Sequence, residues 1–240
     1  RRRVDAIVKD KETAEALKPY YNFLCKRPLS HADYYDSFNR DNVKLLDVSS
    51  TLGLERMTET GIVANGVEYE VDCVIFASGF EVSSELKHRW AIEPFEGRDG
   101  LSIYDHWDEG YKTFHGMTTH GFPNFFVIAF TQGGLNANIT LTFETQAHHI
   151  AYIVKEAIAR KATTVECSEQ AQQEWVKHVR ETAIDVSQMA RNCPPSYLNN
   201  EGEEKLRWYL GEIYGPGFYA FEQLIRDWRE QGDLAGFVIK

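Results

Sequence analysis

The chain has 240 residues, of which 43% are hydrophobic and 13% aromatic, and it carries a formal net charge of -10. This length and apolar content are sufficient for one large domain or two small ones with a packed core, and they exclude an extended disordered protein. The acidic balance argues against a nucleic-acid or anionic membrane surface, because such binding depends on clustered Lys and Arg.

The chain has four cysteines, which are too widely spaced for a Cys-x-x-Cys metal or redox motif: Cys25, Cys73, Cys167 and Cys193. We therefore expect buried thiols in a reduced, cytoplasmic protein. No run of about twenty apolar residues could span a bilayer, and no signal peptide precedes the first predicted element. The chain begins with Arg1, partway through a helical pattern, and it lacks a Gly-x-Gly-x-x-Gly motif, so we expect a fragment of a longer protein.

The first elements are predicted from local patterns. Residues 1–18 have a charged helical pattern that ends at Pro19. Residues 20–28 are rich in aromatic side chains and are predicted to be extended, because the residue before Pro28 avoids the helical region. A weak alternation of apolar and polar residues predicts a strand at 43–48.

A hairpin and a buried strand are predicted next. Residues 61–64 and 67–70 alternate as strands, and Asn65-Gly66 between them is one of the strongest two-residue turn signals. The apolar run that follows, 71–80, has the length of a strand buried on both faces. It ends at Gly79, where the missing Cβ allows the backbone to approach a ligand closely.

A second apolar run at 125–130 also predicts a central parallel strand. It follows a polar connection at 81–120 with only short pieces of predicted structure. Because ligands of open α/β sheets bind at the carboxyl ends of the strands, the residues after both apolar runs are candidates for a binding site. An ordinary glycine turn with nothing bound is the alternative at each place.

The remaining elements are predicted to be helical. A helix from about residue 139 to 160 has a predicted buried stripe of Ile139, Phe143, Ala147, Ile150, Val154 and Ala157. Ser168 is a predicted N-cap for a helix that buries Trp175 and Val179. The last helix buries Phe218, Phe221, Leu224, Ile225 and Trp228, and Gly232 is predicted to end it.

The loop over residues 131–138 is the first candidate site. A glycine-rich loop between a strand and a helix brings backbone N–H groups and the positive end of the helix dipole to one point. An anionic or electron-rich ring edge would fit that point. The eight histidines show no ligand pattern, and since the neighbours His148 and His149 cannot share a helix face, no metal site is expected.

The Lys26-Arg27 pair is the second candidate. Alternate side chains of an extended segment point to opposite faces, so two adjacent cations can contact two different ligands. A solvated surface pair is the common case. The aromatic neighbours of this pair predict a partly buried site instead.

Several segments, in order along the chain, together resemble the C-terminal half of the type I Baeyer–Villiger monooxygenases. They are Cys-Lys-Arg-Pro at 25–28, Asp-Tyr-Tyr at 33–35, Phe-Asn-Arg-Asp-Asn-Val at 38–43, Asp-x4-Ala-Ser-Gly-Phe at 72–80, Gly-Phe-Pro-Asn-Phe-Phe at 121–126 and Gly-Phe-Val-Ile at 236–239. The resemblance implies an α/β fold, part of a flavoprotein with Rossmann-like FAD and NADP domains and a helical C-terminal region. It also implies that residues 1–18 end a helical insertion, that 19–76 complete the NADP domain, and that 77–240 complete the FAD domain with its substrate-side loops.

The resemblance also implies cofactors, substrates and site residues. FAD, NADPH, molecular oxygen and a small-molecule ketone would be the reactants, and an ester or lactone the product. Arg27 matches the family's active-site arginine beside the flavin, and Lys26 matches the lysine at the NADP 2′-phosphate. The other matching cofactor-binding residues are Ala77, Ser78, Gly79, Phe80, Gln132, Gly133, Gly134, Asn136, Asn138 and Tyr197.

Two residues depart from the family pattern. Leu24 stands where a glycine is usual, and Tyr197 lies near a position that is often Trp in the loop over NADP. Two other functions stay open at this point. One is a flavin monooxygenase that oxidises nitrogen or sulfur, and the other is a non-catalytic nucleotide-binding remnant that acts through protein partners.

Overall fold

The computed structural model describes residues 1–79, 86–184, 192–202 and 212–240, without the side chains of residues 200 and 201. The chain divides into two compact units, residues 1–80 and residues 81–240. Each unit is built around its own apolar clusters.

The first unit begins with helices α1 (Arg2–Ile7), α2 (Lys11–Ala16) and α3 (Tyr34–Ser37). The helical pattern of residues 1–18 is therefore confirmed, although it is interrupted at Val8, which has an extended backbone. Asp10 starts α2 by accepting a hydrogen bond from the Thr13 N–H at 2.8 Å. These helices enclose a small core of Val4, Val8 and Ala14, packed against Leu17, Tyr35 and Phe38.

A three-stranded antiparallel sheet follows, with strands β1 (Arg56–Met57), β2 (Gly61–Ala64) and β3 (Val67–Glu70) in that order. The predicted hairpin is confirmed, with Ala64 opposite Val67. Asn65 and Gly66 both have positive φ, 51° and 74°, as a two-residue type I′ turn requires. The strand predicted at 43–48 is wrong, since these residues have no regular structure.

The strand predicted at 71–80 is also wrong over its described part, residues 71–79, which belong to no strand. The prediction of burial fails too, because Ile75 is 85% exposed and Phe76 is 72% exposed. Val71 is held to the sheet by its N–H, which donates to the Thr60 carbonyl at 3.1 Å. A strand buried on both faces needs neighbouring strands and a covering layer, and the described residues of this unit provide neither. We call residues 71–79 the bare ribbon.

The second unit is mainly helical in its described residues. Its helices are α4 (Leu86–Trp90), α5 (Ile103–His106), α6 (Ile139–Ala159), α7 (Glu169–Thr182) and α8 (Phe218–Gln231), with 3-10 turns at Arg98–Gly100 and Tyr197–Gly202. Ser168 caps α7 by accepting from the Ala171 N–H, and Gly232 ends α8 with φ 73°, so both predicted helix ends are confirmed. Over the described ranges, no helix combines the length and apolar character needed to cross a membrane.

Two short strands close this unit. Strand β4 (Val165–Cys167) pairs antiparallel with β5 (Phe237–Ile239), so that Val165 lies opposite Ile239. Glu166 on β4 is buried and accepts hydrogen bonds from Arg98 Nε at 2.8 Å and from the Gly121 N–H at 2.7 Å. These bonds hold the segment before residue 121 against the strand pair. The main core consists of Phe114, Met117, Cys167, Trp175, Val179, Tyr214, Phe221 and Ile225.

The central strand predicted at 125–130 is wrong, because these residues are not part of a sheet. A side chain takes the place of a neighbouring strand. The Ala129 N–H donates to Gln146 Oε1 at 3.1 Å, and Gln146 Nε2 donates to the Ala129 carbonyl at 2.7 Å. The side-chain amide of the fully buried Gln146 thus pairs with the backbone N–H and carbonyl of Ala129. Buried polar groups require such hydrogen-bond partners.

Helix α6 is confirmed, and its predicted buried stripe is correct at Ala157 but wrong at Ala147 and Val154, which are exposed. Val154 is 38% exposed, whereas the buried face is mostly polar: Thr142, Thr145, Gln146, His149, Ile153 and Ala157. The polar residues can be buried because they are paired. Thr142 Oγ1 accepts from the Asn136 N–H at 3.0 Å, and His149 contacts His115 and Arg229. The buried face of α6 is therefore mainly made of hydrogen-bonded polar groups, whereas hydrophobic spacing alone predicts an apolar face.

The cysteines differ from the prediction of buried thiols. Cys167 is a buried free thiol, and burial raises its pKa to about 12. Cys73 is free but exposed. Cys25 and Cys193 are disulfide-bonded, so the prediction is wrong for these two and for Cys73.

Candidate functional site

The predicted site loop, Thr131–Asn138, lies between the apolar segment 125–130 and α6 and has two different halves. The inner half, residues 131–134, is buried. The outer half, residues 135–138, becomes exposed toward the start of α6. Solvent therefore reaches the outer half of the loop more readily than the inner half.

Gln132 anchors the inner half of the loop through hydrogen bonds from its backbone and side chain. It is 0% exposed, and its backbone has φ 54°, a strained value for a residue other than glycine. Its N–H donates to the Glu212 carbonyl at 2.6 Å, and its carbonyl accepts from Trp175 Nε1 at 3.0 Å.

The Gln132 side chain is equally occupied. Its Oε1 accepts from the Thr113 N–H at 2.9 Å and from Thr113 Oγ1 at 2.6 Å. Its Nε2 donates to the Tyr111 carbonyl and to Glu212 Oε2, both at 2.8 Å. Every polar group of Gln132 thus has a protein partner, so a direct cofactor contact from this residue would require breaking one of these bonds.

The two glycines of the inner half serve packing. The Gly133 carbonyl accepts from the Tyr214 N–H at 3.0 Å. A Cβ at Gly134 would lie 2.7 Å from Phe221 Cβ and 3.0 Å from Phe218 Cα. Glycine is therefore required at 134 because α8 approaches the loop backbone closely.

Replacing Gly134 with Ala is expected to lower the free energy of unfolding by about 1 to 3 kcal/mol, because the added methyl overlaps α8. Gly133→Ala is the matched control: its Cβ would first meet the end of the Gln146 side chain at 3.3 Å, so we expect a smaller loss. Urea unfolding of both variants measures the difference. Equal losses would contradict the close packing at Gly134.

The outer half presents hydrogen-bond donors. Asn136 Oδ1 accepts from the Asn138 N–H at 2.8 Å, and Asn138 Oδ1 accepts from Thr140 Oγ1 at 2.6 Å. These bonds orient the two amides, and within the described residues neither Nδ2 group donates to a protein acceptor. They lie at the N-terminus of the 21-residue helix α6, where the helix dipole is positive.

A cavity of about 200 Å³ lies in the same unit beside the inner half. Its walls are mainly aromatic and aliphatic and include Trp90, Trp107, Tyr111, Val127, Phe130 and Phe143. Arg89 brings a positive charge to the wall, and its Nη2 donates to the Tyr111 hydroxyl at 3.2 Å. Thr113, which Gln132 holds, also lines the cavity.

Lys26 and Arg27 lie in the first unit, and both are exposed. The prediction of a partly buried pair is wrong. The pair is exposed because its aromatic neighbours do not form a core: Tyr20 is 61% exposed and Phe23 is 77% exposed. Only Cys25 beside them is buried, and Lys26 Nζ lies 5.8 Å from the centre of the Tyr21 ring.

Leu24, which precedes this pair, has φ 71°. Left-handed backbone costs a residue with a Cβ about 1 to 2 kcal/mol, whereas glycine adopts it freely. The structure thus gives a physical reason for the glycine that the family pattern favours here. It also shows that Leu24 is compatible with the turn, at a cost in strain.

Leu24→Gly is expected to raise the free energy of unfolding by about 0.5 kcal/mol, because relief of strain exceeds the added entropy of the unfolded glycine chain. Little burial is lost, since Leu24 is 45% exposed. Leu29→Gly is the control: this leucine is 88% exposed and has no positive φ, so we expect lower stability there. Urea unfolding of both variants provides the test, and a loss of stability at both positions would contradict the assignment of strain to Leu24.

The other predicted site residues lie in different surroundings. Ala77, Ser78 and Gly79 are exposed at the end of the bare ribbon. Gly79 has φ 93°, which favours glycine, and a Cβ built there would meet nothing within 4 Å. Phe80 lies outside the described residues. Tyr197 is half-buried at the start of a 3-10 turn.

A buried histidine pair was missed by the sequence analysis. His115 Nδ1 lies 3.2 Å from His149 Nε2, and Arg229 Nη1 lies 3.2 Å from His149 Nδ1. Because the guanidinium can only donate, it fixes the proton of a neutral His149 on Nε2, which then donates to His115. Burial lowers the pKa of His149 to about 3, with a smaller contribution from the Arg229 charge. The pKa of His115 is also lowered, first by burial and then by His149.

One sequence signal could have identified part of this interior. Thr142, Gln146, His149 and Ile153 follow one another at spacings of four, three and four residues, which places them on one helix face. A polar stripe with helical spacing can be a solvent-exposed face, but it can also be a buried face whose polar groups are hydrogen-bonded to partners. The partners of His149, which are His115 and Arg229, are distant in the sequence and carry no comparable signal. Over the described residues, no group of His, Cys, Asp and Glu is suited to hold a metal ion.

Known proteins resemble this chain along its whole length. Neopentalenolactone D synthase of Streptomyces avermitilis is 42% identical in an alignment of 242 positions that covers 100% of this chain and 40% of that protein. A Baeyer–Villiger monooxygenase of Streptomyces coelicolor is 39% identical and matches 96% of this chain. The chain aligns with part of a Baeyer–Villiger monooxygenase. The predicted resemblance is therefore confirmed, although no family model matches.

Solved structures agree with the sequence matches. The polycyclic ketone monooxygenase of Thermothelomyces thermophila superimposes with a TM-score of 0.84 at 30% identity, over 100% of this chain and 39% of that one. The cyclohexanone monooxygenase of Rhodococcus sp. Phi1, solved with NADP+, gives a TM-score of 0.76 at 28% identity. The chain spans about two fifths of the length of these relatives. The α/β flavoprotein class is the part of the fold prediction that these matches confirm.

Proposed function

We propose that this chain supplies the C-terminal part of an FAD- and NADPH-dependent Baeyer–Villiger monooxygenase. The single observation that carries the proposal is the match of the whole chain to such enzymes at 39 to 42% identity. The complete enzyme would convert a ketone, molecular oxygen, NADPH and a proton into an ester or lactone, NADP+ and water. Oxidation at nitrogen or sulfur, and a remnant without catalysis, are not favoured by these matches.

The finer architecture is part of the same proposal. The complete enzyme would have two Rossmann-like domains, with residues 19–76 completing the NADP domain and residues 77–240 completing the FAD domain. Residues 1–18 would end a helical insertion. The bare ribbon supports this organisation, because its exposed apolar side chains, including Ile75 and Phe76, require neighbours that the described residues do not provide.

The outer half of the site loop fits the edge of a flavin ring. Its oriented amide donors at Asn136 and Asn138, at the positive end of α6, suit the electron-rich carbonyl and nitrogen edge of such a ring. When bound, FAD supplies the electron transfer and oxygen chemistry that side chains lack. Gln132, Gly133 and Gly134, which the resemblance also assigns to cofactor binding, would instead hold the loop in place.

The exposed cations have the chemistry that the reaction needs. The planar, positively charged guanidinium of Arg27 is exposed and can hold the negative charge that develops on oxygen during insertion. Lys26, next to Arg27 in the sequence, would contact the 2′-phosphate of NADPH as a point charge. Ser78 and Gly79 would bring backbone close to the dinucleotides, and Tyr197 would lie on the substrate and NADP side.

We further propose a bulky ketone as the substrate. The sequence at 199–202 and the sequence from Tyr209-Leu210-Gly211 to Gly217-Phe218 resemble the branch of the family that accepts bulky or macrocyclic ketones. The relative with a TM-score of 0.84 is itself named for polycyclic ketones. Oxygen-dependent NADPH oxidation by the complete enzyme, stimulated by a polycyclic ketone and yielding the lactone, tests the activity. A complete enzyme that oxidises amines or sulfides and leaves ketones unchanged would refute it.

Lys26→Ala in the complete enzyme is expected to raise the KM for NADPH by about 10- to 100-fold, because a charged contact with the phosphate is worth about 1.5 to 3 kcal/mol. The KM for NADH, which has no 2′-phosphate, should change little. Steady-state kinetics with both nucleotides measure the two values. Lys44→Ala is the control, since Lys44 is an exposed lysine of the same unit that contacts the Tyr69 ring. An equal rise for NADPH and NADH would remove the phosphate role.

A further inference from the structure

Two segments that are distant in the sequence meet at the inner half of the site loop. The N–H of Gln132 donates to the Glu212 carbonyl at 2.6 Å, and the Tyr214 N–H donates to the Gly133 carbonyl at 3.0 Å. Two backbone hydrogen bonds thus hold the residues before α8 against the loop. Gln132 Nε2 adds a side-chain bond to Glu212 Oε2 at 2.8 Å.

The Glu212 carboxylate connects this contact to a third element. Its Oε1 accepts from Arg180 Nη2 on α7 at 3.2 Å, and its side chain is 14% exposed. Gln132 donates to Glu212 and also accepts a hydrogen bond from the Thr113 N–H. Thr113 in turn lines the cavity. A connected series of hydrogen bonds therefore runs from Arg180 at the surface, through Glu212 and Gln132, to the cavity wall.

The outer half of the loop depends on this arrangement. It is attached at one end to residues 131–134 and at the other to α6, where the Asn136 N–H donates to Thr142 Oγ1 at 3.0 Å. The position of Asn136 and Asn138 is thus set by the inner half and by α6 together. The strained φ of 54° at Gln132 persists because its surroundings determine it.

We propose that Gln132 and Glu212 form a latch that positions the outer half of the loop for the flavin. Both are positioning residues: neither contacts the cofactor, and both act through Asn136 and Asn138. This role of the latch rests on the proposed function. It also gives the residues before α8 a means to affect the flavin site.

The test exchanges the hydrogen-bond donor and acceptor of the latch in the complete holoenzyme, so that residue 212 donates and residue 132 accepts. Gln132→Glu places two carboxylates against each other and turns an oxygen toward the Tyr111 carbonyl. Glu212→Gln in the same protein restores a donor opposite residue 132, so the double variant should recover much of what the single variant loses. Glu181→Gln is the control, because Glu181 is an exposed carboxylate on α7 whose nearest cation, Lys177, lies at 3.8 Å.

The main readouts are the dissociation constant of the flavin and the shape of its visible absorption bands. Coupling energies within one hydrogen-bond network correspond to changes of about tenfold, so we expect the flavin to bind about tenfold more weakly in Gln132→Glu. The double variant should return toward the wild-type affinity and spectrum, and Glu181→Gln should match the wild type. A double variant no better than Gln132→Glu, or flavin binding unchanged in Gln132→Glu, would overturn the latch.

Two further measurements keep the test decisive. If Gln132→Glu does not fold, Glu212→Ala leaves the bonds from Gln132 to Thr113 and Tyr111 in place and should still weaken flavin binding; unchanged binding would count against the latch. Amide hydrogen exchange of residues 131–138 in flavin-free protein should be faster in the single variants than in the wild type, and unchanged exchange would overturn the latch without reference to the cofactor. An unmodified enzyme that binds no flavin would refute the proposed function instead.

Discussion

Arg27→Ala in the complete enzyme is expected to lower the rate of ester formation by about 10²- to 10³-fold, the usual effect of removing one group that stabilises developing charge. Arg27 is exposed and precedes Pro28 in a segment without helix or strand, so its removal should leave folding and flavin binding unchanged. NADPH oxidation should continue, with hydrogen peroxide as the product in place of the ester. Chromatography of the ester and a peroxide assay measure the two outcomes.

Arg27→Lys is the matched variant. It keeps a positive charge but lacks the planar fork, and a lysine loses its proton more readily when it is desolvated. We expect an ester yield between those of the wild type and the alanine variant. Ester formation by Arg27→Ala at a rate near that of the wild type would refute the assigned role.

Acidification from pH 7 to pH 4 is expected to remove about 3 kcal/mol of stability through His149 alone. Its pKa is about 3 in the folded protein and 6.5 in its ordinary state, so the unfolded chain binds the proton more tightly. The stability from a neutral His149 is therefore complete above about pH 6.5, falls as the pH decreases, and is lost near pH 3. The shift arises mainly from burial and secondarily from Arg229.

His149→Gln tests this dependence, since glutamine keeps a donor and an acceptor but does not titrate in this range. We expect the variant to be less stable at pH 7 but to lose about 3 kcal/mol less than the wild type between pH 7 and pH 4. His148→Gln is the control, because its side chain is 74% exposed on the same helix. Urea unfolding at several pH values measures the slopes, and parallel slopes for His149→Gln and the wild type would contradict the prediction.

Local signals in the sequence predicted the local structure correctly. The hairpin follows from Asn65-Gly66, whose backbone angles match the turn. The start of α7 follows from the hydroxyl of Ser168, and the end of α8 from Gly232. In each case a few neighbouring residues determine the conformation, so the residue type is sufficient information.

Features that depend on distant partners were not predictable in the same way. The apolar run at 71–80 has the composition of a central strand, but a strand forms only where neighbours pair with it. The buried face of α6 was predicted only in part, because Gln146 and His149 are buried on it through partners at Ala129, His115 and Arg229. Hydrophobic spacing contains no information about such pairs.

The candidate site was predicted in outline. The loop at 131–138 was correctly placed before a long helix, but its division into two halves depends on Glu212, Trp175 and α8. The exposure of Lys26 and Arg27 was missed, because aromatic neighbours indicate a core only when they themselves are buried. Sequence proximity to Tyr20 and Phe23 therefore indicated more enclosure than the first unit provides.

The division of the loop has a consequence for directed evolution of the proposed enzyme. Most substitutions at Gln132 or Gly134 would impair folding. Library variants at these two positions would therefore give little information about substrate preference. Leu135 is partly exposed, and Ala137 and Asn138 are exposed, so changes of size and polarity there should cost little stability. Saturation libraries aimed at new ketones or altered regiochemistry should be concentrated on those three positions.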